Sequence, residues 1–94
     1  MSSNTTGVCK AKRIVLIANL PDKNYVCLYL HNVVHKKSFQ LKFYINHDKD
    51  TPESIINEMK KDAHISISNP IECAKLLSIF HAKHPKETEC VLTD

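Results

Sequence analysis

Two acids flank an apolar stretch in the middle of this 94-residue chain: Asp50, just before Thr51-Pro52, and Glu58, further along. Carboxylates beside a narrow apolar slot suit a peptide that carries an Arg next to a large apolar side chain. The acids grip the guanidinium while the apolar group fills the slot. Leu41, Phe43, Ile55 and Met59 are the apolar candidates for its floor. A plainer reading also fits these residues, with Asp50 a turn residue, Glu58 a solvated helix acid and the apolar groups consumed by a core. Catalysis finds less support. No Ser or Cys stands beside a His and an orienting acid in a recognisable context, and Glu53, Glu58 and Asp62 share a short stretch with no carboxylate opposing them. One glycine in the whole chain removes Gly-rich phosphate loops and nucleophile elbows, which need several. No enzyme activity and no cofactor are expected.

The elements that must position these residues follow from periodicity. Phe39, Leu41, Phe43 and Ile45 alternate with Ser38, Gln40, Lys42 and Tyr44, which predicts a strand over 38–46 with one apolar face. A polar turn, 46–50, breaks the alternation. Thr51 is a good N-cap, Pro52 suits the first helical position and Glu53 favours the positive helix end. Ile55, Ile56, Met59 and Ala63 then recur at helical spacing, predicting a helix over 52–63. A strand feeding directly into a helix leaves a seam, and the two acids border it.

Upstream, 12–19 reads as a strand apolar on both faces, LPDKN as a turn, and 25–31 as a second alternating strand. Downstream, Asn69-Pro70-Ile71-Glu72 is a helix start, and Cys73, Leu76, Leu77 and Phe80 give a helix over 70–81 one apolar face. The order predicts an α+β domain: a three-stranded antiparallel sheet (12–19, 25–31, 38–46) with two helices packed on one face. Residues 1–10 are expected as a disordered tail, 11–83 as the single domain, and 84–94 as a frayed tail.

Apolar content of 43% with 24% charged residues is ordinary for a soluble globular domain. The net charge of +3 comes from 13 Lys and Arg interleaved with 10 acids along the chain, so no nucleic-acid partner is expected. The apolar run 14–18 is too short to span a bilayer, and no signal-peptide pattern opens the chain; no membrane partner and a cytoplasmic location are expected. Cys9, Cys27, Cys73 and Cys90 have no paired spacing and read as free thiols, Cys27 and Cys73 as small core residues. Neither Cys27, His31 and His35 nor His81 and His84 have a metal-site spacing, so no metal is expected.

The stretch FQLKFYINHDKDTPESIINEM, with NYVCLYLHN before it and NPIECAKLLSIF after it, resembles the autoinhibitory domain that follows the catalytic domain of WNK ("with no lysine") protein kinases. That domain is similar to the C-terminal peptide-binding domain of the SPAK and oxidative-stress-responsive kinases. The resemblance spans roughly residues 12–82 and is most specific at Asp50-Thr51-Pro52-Glu53-Ser54-Ile55 and Glu58-Met59. It implies a non-catalytic domain that binds Arg-Phe-x-Val/Ile (RFx[V/I]) segments in a strand–helix groove and inhibits the kinase domain of its parent protein. By position, Asp50 and Glu58 would receive the Arg, and Leu41, Phe43, Ile55 and Met59 would line the pockets for Phe and Val/Ile. Where the family has a small residue, Gly and a large apolar residue after the helix, this chain has Asp62, Ala63 and His64. The departure expects a different turn, with His64 at the pocket rim, or Ile65 in the slot if His64 turns outward. Two other readings are an adaptor that docks RFx[V/I]-containing partners without inhibition, and a ubiquitin-like interaction module. The latter requires a further sheet strand after the first helix. The last reading, nucleic-acid binding, requires Lys36, Lys37, Lys42, Lys60 and Lys61 to share one face.

Overall fold

The computed structural model describes residues 7–92. Three long strands come first, β1 (Gly7–Asn19), β2 (Lys23–Asn32) and β3 (Lys37–Asn46). They are followed by α1 (Pro52–Asp62), a short β4 (Ile65–Ile67), α2 (Pro70–Ile79) and a short β5 (Glu89–Val91). The α+β class and both helices agree with the sequence. The sheet does not stop at three antiparallel strands. Its order is β3-β2-β1-β4, with β4 parallel to β1, and β5 pairs antiparallel with β1 as well.

One edge of β1 accommodates both short strands because β1 is 13 residues long. Gly7–Cys9 pairs with β4, and Arg13–Val15 with β5. Between them the Asn69 side chain imitates a strand residue. Its Oδ1 accepts from the Ala11 N–H at 2.9 Å and its Nδ2 donates to the Ala11 carbonyl at 3.0 Å. Asn69 therefore sits at the start of α2 without its side chain capping that helix. Residues 7–10 and 89–91, expected in terminal tails, belong to the sheet; residues 1–6 and 93–94 of those tails lie outside the described residues.

Two β-bulges decide which residues of β1 face the core. The register against β2 shifts between Ala11 and Arg13 and again between Leu16 and Ala18, leaving Lys12 and Ile17 as the extra residues. Each shift flips the alternation. Cys9 and Ala11 thus face the same side as Ile14 and Leu16, despite opposite parity. That side is the core: Ile14, Val26, Leu28, Leu30 and Ile45 are buried there with Leu76, Leu77 and Phe80 of the α2 segment. Both helices cover this inner face. The outer face of the sheet carries no helix.

Cys73 is fully buried in this core, and desolvation pushes its thiol from 9.0 up to about 12. The folded state keeps the proton that an unfolded chain loses near pH 9. The stability this group supplies is therefore complete below pH 9 and is lost as pH rises toward 12. Native Cys73 should resist iodoacetamide at pH 8 and react once denaturant unfolds the chain; mass mapping that finds it alkylated at the rate of a free thiol would contradict this burial.

At its start α1 is fixed by a reciprocal cap. Ser54 N–H donates to Thr51 Oγ1 at 3.1 Å, and Thr51 N–H donates to Ser54 Oγ at 2.9 Å. At its end Ala63 keeps a right-handed backbone, and the left-handed position falls on His64 (φ 58°). The His64 carbonyl accepts from the Gly7 N–H at 2.8 Å, which holds the turn against β1. Glycine has no Cβ penalty in this conformation. His64→Gly is expected to stabilise the fold by about 0.5–1 kcal/mol, after the larger unfolded-state entropy of Gly is deducted. The check is a raised urea midpoint with an unchanged slope.

Candidate functional site

Since β3 is the edge strand of the sheet, α1 leaving its end by a short turn lies along an open flank. Between them is a cleft of about 190 Å³. Leu41, Phe43, Ile55, Glu58 and Met59, all singled out in the sequence, line it together. Ile55 and Met59 form a buried floor, while Leu41 and Phe43 are half-buried. Their convergence follows from two periods. Alternation puts Leu41 and Phe43 on the inner face of β3, and the i, i+4 spacing puts Ile55 and Met59 on the α1 stripe facing it. The volume is small for a drug-sized ligand and suits individual side chains of a peptide.

Tyr44, Asp62 and Ala63 also border the cleft. Asp62 changes its electrostatics, because it stands one helical turn beyond Glu58 on the same face of α1. Both acids are exposed, and neither is engaged in an ion pair among the described residues. The rim therefore presents two carboxylates one turn apart over an apolar slot. The i, i+4 relation of Glu58 to Asp62 was visible in the sequence, but Asp62 entered that reading as an acid without an opposing carboxylate and as part of the unusual helix end, not as a peptide-binding residue.

Asp50 and His64 are not brought to the cleft lining. Asp50 is half-buried, and its Oδ2 accepts from the Asn46 N–H at 2.8 Å while its own N–H donates to the Asn46 carbonyl at 3.2 Å. Asn46 Oδ1 in turn accepts from Asp48 and Lys49 N–H groups at 3.0 and 3.1 Å. Asp50 thus ties the turn that aims α1 along β3. His64 is exposed on the left-handed turn, and Ile65 is 2% exposed in the core, not in the slot.

Two other clefts are present among the described residues. One, of about 390 Å³, lies between the helices near Ile56 and Ile71. The other, of about 550 Å³, lies against β1–β3 and is lined in part by Arg13, Tyr29, Ser38 and Gln40. Chemistry, not volume, distinguishes the β3–α1 cleft: of these three clefts among the described residues, it combines an apolar floor with paired carboxylates. No cluster of three His, Cys, Asp or Glu side chains with metal-site geometry occurs among the described residues, and no helix there is long and apolar enough to cross a membrane. Neither a family model, a curated protein nor a solved structure matches this chain.

Proposed function

We propose that this is a non-catalytic regulatory domain of a WNK-type Ser/Thr kinase, which binds RFx[V/I]-like segments in the β3–α1 cleft and restrains the kinase domain of its parent protein. The observation that carries the reading is the convergence of Leu41, Phe43, Ile55, Glu58 and Met59 on one cleft. In this reading Glu58 and Asp62 receive the motif's Arg. The apolar floor takes its Phe or Val/Ile, and Asp50 acts through the turn. A cytoplasmic location follows from that reading.

An amide-shift titration with an RFxV peptide and its scrambled counterpart tests the site directly. Specific shifts along β3 and α1 support it; equal shifts from both peptides, or none, overturn it. Inhibition is a separate clause. Adding the domain in trans to a WNK-type catalytic domain should lower its rate, whereas a docking adaptor would leave the rate untouched. A ubiquitin-like module has one feature in its favour, since β4 is a sheet strand after the first helix. That strand is only three residues long, and such a module has no use for the acid-rimmed cleft.

A further inference from the structure

The pleat gathers charges that are scattered along the chain. Pairing register puts Lys10, Arg13, Lys23 and Lys42 on the outer face of the sheet, and no outward position of β1, β2 or β3 is acidic. The nearest acid on the face is Glu89 of β5, which pairs with Arg13 at 2.8 Å. The acids of the helical layer, by contrast, lie on α1 and α2 across the core.

Three tyrosines share that face. Tyr25 and Tyr44 stack with ring centres 4.6 Å apart, and Tyr44 is half-exposed. The Arg13 guanidinium lies 4.1 Å from the Tyr29 ring centre, and the Lys23 ammonium 4.9 Å from that of Tyr44. The 550 Å³ cleft borders the Arg13–Tyr29 pair, with Lys12, Ser38 and Gln40 adding polar groups, and does not reach the Tyr25–Tyr44 stack. Cys27 is buried at 4% exposure on the same face, its Sγ donating to Gln40 Oε1 at 3.7 Å, so the surface between the rings is closed.

We propose that this outer face binds single-stranded nucleic acid, with bases stacking on the tyrosine and Arg13 planes and phosphates meeting the lysines. Rings and cations on an open sheet offer sequence-tolerant stacking and charge neutralisation together. An acidic peptide is the weaker fit. An extended peptide gains its affinity from main-chain hydrogen bonds at a strand edge, and the open edge beside this face is that of β3, two strands away from Lys10 and Arg13 on β1. The site lies on the opposite face of the sheet from the floor of the β3–α1 cleft, with Tyr44 of the edge strand bordering both, and does not rest on the function proposed for that cleft.

The test is fluorescence anisotropy of the full chain with labelled oligouridine. We expect Kd on the order of 1–100 µM at low salt, with a log–log salt slope of about −2 for roughly three phosphates neutralised. Lys42→Glu and Tyr44→Ala, both exposed positions, should each weaken binding about tenfold, while Lys75→Glu on α2 leaves it unchanged. Thermal melts confirm that each variant folds. Absence of binding, tighter binding to duplex than to single strands, equal loss in Lys75→Glu, or equal competition by polyglutamate would each overturn the proposal, the last in favour of an acidic-peptide surface.

Discussion

Reversing the charge at the cleft rim, by Glu58→Lys or Asp62→Lys, is expected to weaken RFxV peptide binding by roughly 10- to 100-fold without unfolding the domain. A charge-assisted hydrogen bond to Arg contributes about 1.5–3 kcal/mol, and each 1.4 kcal/mol is tenfold in affinity. Both acids are exposed on α1, so neither substitution opens a cavity. If both carboxylates hold the same guanidinium, the double variant should lose less than the sum of the single losses, because the two share one partner. Asp50→Ala should behave differently. Removing Oδ2 leaves the Asn46 N–H without its acceptor and loosens the turn, so the thermal midpoint falls and affinity falls through misplacement of α1. A titration in which Asp50→Ala loses affinity at full stability, while Glu58→Lys and Asp62→Lys bind normally, would return the Arg site to Asp50 and remove it from the α1 rim.

The β3–α1 half of the fold was legible because its signals are long and unambiguous. Eight residues alternate without a break, and Thr51-Pro52 marks the turn into a helix whose apolar spacing aims it back at the strand. The short strands β4 and β5, three residues each, carry too few alternations to register as strands. Their existence depends on the length of β1, which only tertiary pairing reveals. The same holds for face assignment in β1, where bulges at Lys12 and Ile17 exchange inside for outside. At the cleft, the facing of Leu41 and Phe43 with Ile55 and Met59 was readable from period, and Glu58 from its place beside that seam. Asp50 was not, since an acid before a helix looks the same whether its carboxylate meets a ligand or closes its own turn. The charge of the outer sheet face was hidden for a related reason: acids between basic residues in sequence are carried by turns and helices to other surfaces.

Asn24 makes the same point for stability, and its replacement should be among the most damaging in the molecule. It reads as one more polar residue of the LPDKN turn, yet it is fully buried at the start of β2. Its Nδ2 donates to the carbonyls of Phe80 at 2.7 Å and Ala82 at 2.9 Å, and its Oδ1 accepts from the Asn19 side-chain amide. One amide therefore satisfies carbonyls released where α2 ends and fastens that end to the β1–β2 turn. Asn24→Ala strands the Phe80 carbonyl in the interior and leaves a small void, so a loss of about 2–4 kcal/mol is expected. Asn24→Asp isolates the polarity from the volume. Its size is almost unchanged, but an ionised carboxylate would face two carbonyl oxygens with nothing to donate, whereas the protonated acid can still donate to one. Its folded-state pKa is thereby raised, so the variant should be least destabilised below about pH 4 and lose stability as pH rises through that folded value. Urea unfolding of both variants across pH decides the matter. An Asn24→Asp protein as stable at pH 7 as the parent would mean that the α2 end is held by its apolar neighbour Phe80 alone, not by the amide.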